Sequence, residues 1–397
     1  MLRVLTLSTL FPDATRPTFA PFVERQTLAL AAREGVELRV VAPLGIPPLG
    51  RFHPRYRSLA ALPDVETWKG VGVYRPRFGH LPGPGARFDA SAMARALVRP
   101  LDFVRTSFAF DVIDAQFFWP DGPAAIALGR HFGVPVSIKA RGADIHFWGT
   151  NSATRARVLD AGRAADGLLA VSAAMKADMV ALGMPADRIA VHYTGLDQNA
   201  FAVRDRAAAK AALAIRGPLL VSVGALIARK GQGFAIDALP LLPDVTLVLI
   251  GRGEDEAALQ ARALRLGVAD RVRFTGALPQ SVIADWLAAA DAMVLPTASE
   301  GLANAWVEAL ASGTPVVTCD VGGARELIDR PEAGRLVTRS AAAIAGAVRA
   351  LLADPPPREV VAATVERFSW EANAAALHAH LAQLVAARAS SAAGALR

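Results

Sequence analysis

The sequence holds one cysteine, Cys319, in 397 residues. No internal disulfide can form, which suits a reducing cytoplasm. Cys319 follows an apolar run and reads as an inert core thiol. Long hydrophobic runs are also missing: none reaches the roughly 18 apolar residues of a membrane-spanning helix. The apolar start, residues 1–10, is soon interrupted by Phe11-Pro12-Asp13 and reads as a strand rather than a secretory signal. The sequence has no zinc-ligand spacing, no aromatic RNA-binding strand and no clear helix-turn-helix, which makes nucleic acid the weakest of the partners considered. It has no G-x-G-x-x-G, which argues against an ordinary dinucleotide site.

What is present points to a folded, two-domain chain. Hydrophobic residues make up 53%, with 32 Gly and 26 Pro, the mix of a core-rich protein with many turns rather than a disordered one. The length exceeds one typical domain. The net charge of +7 is uneven: residues 1–200 carry 23 Lys and Arg against 17 Asp and Glu, and the rest 20 against 19. A basic first half suits an anionic membrane surface or an acidic acceptor. Apolar runs alternate with helical patterns from end to end, which predicts an α/β fold with parallel sheets.

Residues 299–317, SEGLANAWVEALASGTPVV, organise the rest. The apolar run 292–295 before them reads as a buried strand. Glu300-Gly301-Leu302 is a tight loop, residues 304–311 read as a helix, Gly313 stops it, and Pro315 opens the next strand. A helix that starts just after a parallel strand points its free N–H groups into the crevice at the strand ends, where anions bind. A carboxylate offers two acceptors, a match for a vicinal diol. The spacing therefore fits a ligand with two diols joined by phosphates: Glu308 on a ribose, the helix N-terminus on the diphosphate, Glu300 on a sugar. The helical wheel allows a plainer reading. Ala305, Trp306, Ala309 and Leu310 form the apolar face, and Glu308 lies with Asn304 on the polar face, where a glutamate is ordinarily just solvated.

The whole string resembles the signature of family 4 glycosyltransferases, E-G-x-x-x-x-x-x-E-A-x-A-x-G-x-P-V-V, matched by Glu300, Gly301, Glu308, Ala309, Ala311, Gly313, Pro315, Val316 and Val317. The resemblance implies two Rossmann-like domains facing each other across a cleft, the GT-B fold, and a retaining transfer that needs neither metal nor cofactor. The sequence contains no D-x-D, the metal–diphosphate handle of the other major glycosyltransferase fold. The implied donor is a UDP- or GDP-sugar, bound by Glu308, Gly301, Leu302, Ala303, Asn304, Gly224, Gly251 and Leu278. At residues 223–231 the family has V-G-R-L-x-x-x-K-G; Lys230 matches, Ala225 stands at the arginine position, and Arg229 is the substitute. Glu300, Lys230 and Arg229 are the expected catalytic groups.

The first half carries the implied acceptor side. Phe22-Val23-Glu24-Arg25-Gln26 resembles the opening of teichuronic-acid-type members, although Ala20 stands near their glycine. The H-G-x-D turn of the family appears as Arg141-Gly142-Ala143-Asp144, in which Asp144 is either a base or orienter or the cap of the following helix. His146 reads as structural. Arg51, Arg55 and Arg57 sit among Phe52, His53 and Tyr56, either a solvated loop or a contact with anionic lipid headgroups or a lipid-linked acceptor, with Arg141 on the same side. The expected domains are 1–197 for the acceptor, 198–369 for the donor, and a helix in 370–397 that crosses back to the first domain before fraying from residue 389. The implied function is transfer to a glycan or lipid-linked glycan in cell-envelope or exopolysaccharide synthesis, in the cytoplasm at the inner membrane face. The alternative is a non-catalytic nucleotide-sugar-binding scaffold subunit. A sugar phosphorylase would need a pyridoxal-phosphate lysine, and Lys230 is the one candidate.

Overall fold

Near-continuous apolar runs become parallel strands because helices cover both faces of the sheet. Leu2–Leu7 is such a run, buried along almost its whole length. The computed structural model, which describes residues 1–17 and 19–395, arranges these runs in two units.

The first unit comprises Met1–Gly195 and the helix that begins at Trp370. Its strands are β1 (Leu2–Leu7), β2 (Val36–Val41), β3 (Leu44–Ile46), β4 (Val65–Trp68), β5 (Val71–Tyr74), β6 (Arg77–Gly79), β7 (Val112–Ala115), β8 (Val136–Ala140), β9 (Gly167–Ala170) and β10 (Ile189–Val191). Eight form one sheet in the order β10-β9-β8-β7-β1-β2-β5-β4, parallel except for the β4–β5 pair. Strands β3 and β6 pair separately, in parallel. The sheet winds in both directions from β1, so the loops after β1 and β7 leave a topological switch point, where open α/β sheets take ligands.

Two features here were not expected from sequence. Strands β4 and β5 form a hairpin across Lys69 (φ 47°) and Gly70 (φ 89°), the two-residue turn with both φ positive that suits the twist of paired strands. Ala20, near the position where the family resemblance led us to expect glycine, has φ 44° and ψ 57°, a left-handed conformation that costs an L-residue about 1–2 kcal/mol.

The C-terminal helix, Trp370–Ala395, packs against helix Pro21–Ala31: Leu377 and Leu381 share a core with Val4, Val23 and Leu30. The stretch from residue 389 expected to fray continues this helix to Ala395; residues 396 and 397 lie outside the described residues. A polar layer underlies the helix. His380 Nε2 lies 3.0 Å from Ser137 Oγ, and His192 Nε2 donates to Asn373 O at 2.8 Å. Burial, with the nearby Lys139, pushes the His380 imidazole down to about 4. In the folded chain His380 is therefore neutral, while the unfolded chain protonates it below about 6.5. Its share of stability is present above that value and lost as pH falls toward 4. Between those limits, the stability gap between wild type and His380→Gln should narrow by about 1.4 kcal/mol per pH unit. Urea melts of both proteins at pH 7.5, 6 and 5 test this; a constant gap would overturn it.

The second unit, Leu196–Ser369, holds β11 (Leu219–Val223), β12 (Thr246–Ile250), β13 (Val272–Gly276), β14 (Ala292–Leu295), β15 (Val316–Thr318) and β16 (Gly334–Leu336). All run parallel in the order β13-β12-β11-β14-β15-β16. This is the doubly wound arrangement, and its switch point lies between β11 and β14. The units part between Gly195 and Leu196, two residues before the boundary expected from sequence. Helix Asn304–Ala311 ends where foreseen: Gly313 adopts φ 72°, its N–H meets Leu310 O, and Thr314 N–H meets Ala309 O. That pair of bonds is a Schellman cap, which needs the left-handed residue.

Candidate active site

The loops after β11 and β14 flank the switch point of the second unit, and backbone contacts tie them together. Ala298 N–H donates to Arg229 O at 2.8 Å. Gly231 has φ 77°, and a Cβ there would come within 2.2 Å of Pro296 O, so only glycine allows the loops to meet. Arg339 closes the junction from outside. Its Nε donates to Pro296 O at 2.9 Å and its Nη2 to Ala228 O at 2.6 Å, with the guanidinium stacked on Phe234.

This junction brings three of the expected residues into contact. Lys230 Nζ and Glu300 Oε1 form a short ion pair, and Arg229 Nη1 lies 3.6 Å from the same oxygen. Thr297, fully buried, donates its hydroxyl to Glu300 Oε1 at 3.0 Å. The Lys230 and Glu300 side chains are 15% and 11% exposed, against 45% for Arg229, so the inner pair is largely shielded from water and the arginine is not. Two cations and one carboxylate leave a net positive charge at the strand ends, which suits an anionic ligand.

Helix Asn304–Ala311 opens beside this cluster with no side-chain cap on its N-terminus. Gly301, Leu302 and Ala303 are buried, Asn304 is half-buried, and Gly301 O accepts from Gly323 N–H at 2.8 Å. Glu308, one turn beyond Asn304, is half-buried and accepts from Gln280 Nε2 at 2.9 Å. Glu308 is thus tied to a neighbouring helix, not merely solvated. Gly224 and Gly251 end β11 and β12 side by side, Gly251 packing on the Gly224 carbonyl, and Leu278 is half-buried in the turn after β13. All the expected donor-side positions therefore lie at the C-terminal ends of this sheet. Among the described residues, no His, Cys, Asp or Glu are grouped so as to hold a metal ion.

In the first unit, the loops after β1, β7 and β8 meet at the corresponding strand ends. Asp144 is buried there. Its Oδ1 accepts from Arg141 N–H at 2.9 Å and Gly142 N–H at 2.8 Å, and its Oδ2 from Phe118 N–H at 3.3 Å. These bonds go to the turn before Asp144 and to the loop after β7, and the helix Asp144–Trp148 that follows has no side-chain cap, so the structure does not bear out Asp144 as a helix cap. Arg141 departs from the expected grouping with Arg51, Arg55 and Arg57. It turns inward, donating Nε to Gln116 O at 3.0 Å over the Phe22 ring, whereas the other three are exposed.

Below Arg141 lies a polar network that sequence reading missed. The fully buried Lys139 Nζ donates to Gln26 Oε1 at 2.8 Å and lies 2.7 Å from His192 Nδ1. Burial and the nearby Arg141 hold the Lys139 ammonium well below its usual range, and burial pushes Asp114 up to about 6 against the pull of Lys139 and Arg141. Burial also raises Asp121, bonded to Thr9, to about 7. The one available signal was polar residues inside strands that otherwise read as core.

Comparison with known proteins agrees with this architecture. Residues 22–200 match the model described as Glycosyltransferase Family 4, and residues 217–354 the model described as Glycosyl transferases group 1. A D-inositol 3-phosphate glycosyltransferase of Xylanimonas cellulosilytica is 35% identical over 81% of this chain and 84% of its own length. TuaC of Bacillus subtilis, named for teichuronic acid biosynthesis, is 27% identical over 87% of this chain and 88% of its own. Among solved structures, sucrose-phosphate synthase from Thermosynechococcus elongatus superposes with a TM-score of 0.81 at 22% identity, over 98% of this chain and all of that one. Anabaena HepE, solved with UDP, gives 0.72 at 20% identity, over 96% of this chain and all of that one. At such identities these two likenesses establish the shared two-domain fold.

Proposed function

Because the chain belongs to the family 4 glycosyltransferases and has their two-domain GT-B fold, we propose that it moves a sugar from a nucleoside diphosphate-sugar to a glycan or lipid-linked glycan, with retention of configuration. The observation that carries this reading is the convergence of Lys230 and Arg229 on Glu300 beside the uncapped start of helix Asn304–Ala311. The diphosphate sits against that helix terminus, and the ribose is held by Glu308. As the bond from the sugar's anomeric carbon to the diphosphate breaks, Lys230 and Arg229 neutralise the charge growing on the leaving oxygen, so no metal or other cofactor is needed. Glu300 orients the sugar. The acceptor hydroxyl attacks the same face of the sugar, and its proton passes to the leaving phosphate. HepE, solved with UDP, supports the donor class.

The first unit presents the acceptor. Its segment Leu49, Arg51, Phe52, Arg55 and Arg57 joins exposed apolar side chains, 75% for Leu49 and 68% for Phe52, to exposed cations. That chemistry suits docking on an anionic membrane at its cytoplasmic face, and the TuaC likeness favours an envelope polysaccharide. No helix among the described residues is long and apolar enough to cross a membrane.

A thermal-shift panel of UDP, GDP, ADP and their sugars, each with and without EDTA, tests the donor reading. One nucleotide should stabilise the wild type with or without EDTA, and Glu308→Ala should bind it about tenfold more weakly, the loss expected for hydrogen bonds to a charged group. Unchanged binding in Glu308→Ala would refute the ribose assignment.

A further inference from the structure

Lys230, Arg229 and Glu300 stand on short pieces of backbone. Lys230 ends the three-residue 3-10 turn Ala228–Lys230, and Glu300 lies in the loop after β14. A turn of that length has little stability of its own, because its hydrogen bonds are poorly aligned and its last carbonyls find no partner within it. The position of the two cations against Glu300 is therefore set from outside the turn.

Arg339 reaches it from a rigid support. It follows β16 by three residues and stands just before Ser340, whose hydroxyl caps helix Ala341–Ala353 by accepting from Ala343 N–H at 3.3 Å. That helix is held in the core of the unit through Ile344, Ala345, Val348 and Leu351. From there the guanidinium spans both loops. Its Nη2 donates to Ala228 O at 2.6 Å and to Arg229 O at 3.1 Å, and its Nε donates to Pro296 O at 2.9 Å. Its face lies 4.9 Å from the ring centre of Phe234, in the helix that follows the Lys230 turn. A Cβ on Gly231 would stand 3.1 Å from Nη2, so the glycine makes room for the arginine as well as for Pro296 O. A planar fork can take carbonyls from two loops while its face stacks on a ring; lysine carries the charge without that shape. We infer that Arg339 is a positioning residue for the transfer step: by holding the loops after β11 and β14 together, it sets Lys230 and Arg229 at their working distance from Glu300. This rests on the proposed roles of Lys230 and Glu300.

The test is single-turnover release of nucleoside diphosphate from the nucleotide-sugar chosen by the thermal-shift panel, with water as the acceptor. The bond from the anomeric carbon to the diphosphate breaks, a bond to the water oxygen forms, and the water proton leaves with the phosphate. The proteins are wild type, Arg339→Met, Arg339→Lys, Lys230→Met and the Arg339→Met, Lys230→Met double variant. Arg339→Met should slow release by about thirty- to a hundredfold, the scale of loss when reacting groups shift by about 1 Å. Calorimetry should find its nucleoside diphosphate affinity within about threefold of wild type, because Glu308 and the start of helix Asn304–Ala311 are not held by Arg339. Arg339→Lys should still be slower than wild type by about tenfold or more, and it is the variant to read if Arg339→Met melts below the assay temperature. On the Lys230→Met background, losing Arg339 should cost no more than about fivefold further, since the main group it positions is gone. Losses that multiply independently, equal losses in binding and release, or full recovery in Arg339→Lys would each overturn the inference. If Lys230→Met is slow while Arg339→Met releases nucleotide like wild type, the inference alone fails. If Lys230→Met itself stays within tenfold of wild type, the reading of Lys230 fails and the inference with it.

Discussion

Lys230→Met should lower kcat/KM by about a thousandfold, the upper range for removing one preorganised stabiliser of charge that develops in the transition state. Two effects combine. Lys230 is the less exposed of the two cations beside Glu300, and a charge of low exposure acts through less screening than one in water. Its loss also leaves Glu300, 11% exposed, with Arg229 at 3.6 Å as its remaining ionic partner among the described residues. Breaking a buried pair on one side is costly because the remaining charge stays desolvated. Lys230→Arg should restore little, since a planar fork does not replace a point charge held at one carboxylate oxygen. Steady-state rates for both variants, measured with the nucleotide-sugar chosen by the thermal-shift panel, check this. A Lys230→Met enzyme within tenfold of wild type would remove the lysine from the reaction.

The donor-side framework was legible in the sequence because its signals are local. The strand at 292–295, the helix at 304–311 and the stop at Gly313 follow from an apolar run, a 3.6-residue period and one glycine, and the structure has Ala292–Leu295, Asn304–Ala311 and a left-handed Gly313. The grouping of Lys230 with Glu300 was legible through the family pattern, not through spacing: the residues are 70 positions apart and meet because β11 and β14 are neighbours at the switch point. What stayed hidden depends on contacts between distant side chains. Arg339 binds the carbonyl of Pro296, 43 residues away, and Gln280 binds Glu308 across two helices. Neither pairing has a periodic or compositional signature. The β4–β5 hairpin was missed although Lys69-Gly70 between alternating residues is a turn signal, because a lysine at the first turn position is a weaker cue than asparagine or aspartate. Arg141 was expected with the exposed arginines of the acceptor side, and its bond to Gln116 O, which turns it inward, joins residues 25 positions apart.

Glu300→Gln should behave unlike Lys230→Met, and the contrast follows from which partner each residue gives up. Glu300 engages both cations proposed to hold the diphosphate, so carboxylate and diphosphate compete for Lys230 and Arg229. A neutral amide of the same shape ends that competition. Nucleoside diphosphate affinity should therefore hold at the wild-type level or tighten by up to about tenfold, as expected when a charge-assisted hydrogen bond no longer has to be broken. Turnover should fall by about a hundredfold or more, because the sugar loses its charged acceptor at the reacting end. The kcat loss should be larger than any change in donor KM, as for an interaction realised in the transition state. Thr297, which donates to the same oxygen at 3.0 Å, can still donate to the glutamine carbonyl, so the loop should keep its shape, but the melting temperature should fall because Lys230, 15% exposed, loses its ionic partner. Calorimetry with the nucleoside diphosphate, set beside steady-state rates, separates the outcomes. If Glu300→Gln weakens nucleotide binding as much as it slows transfer, Glu300 serves to organise the phosphate site and the sugar is oriented by other groups.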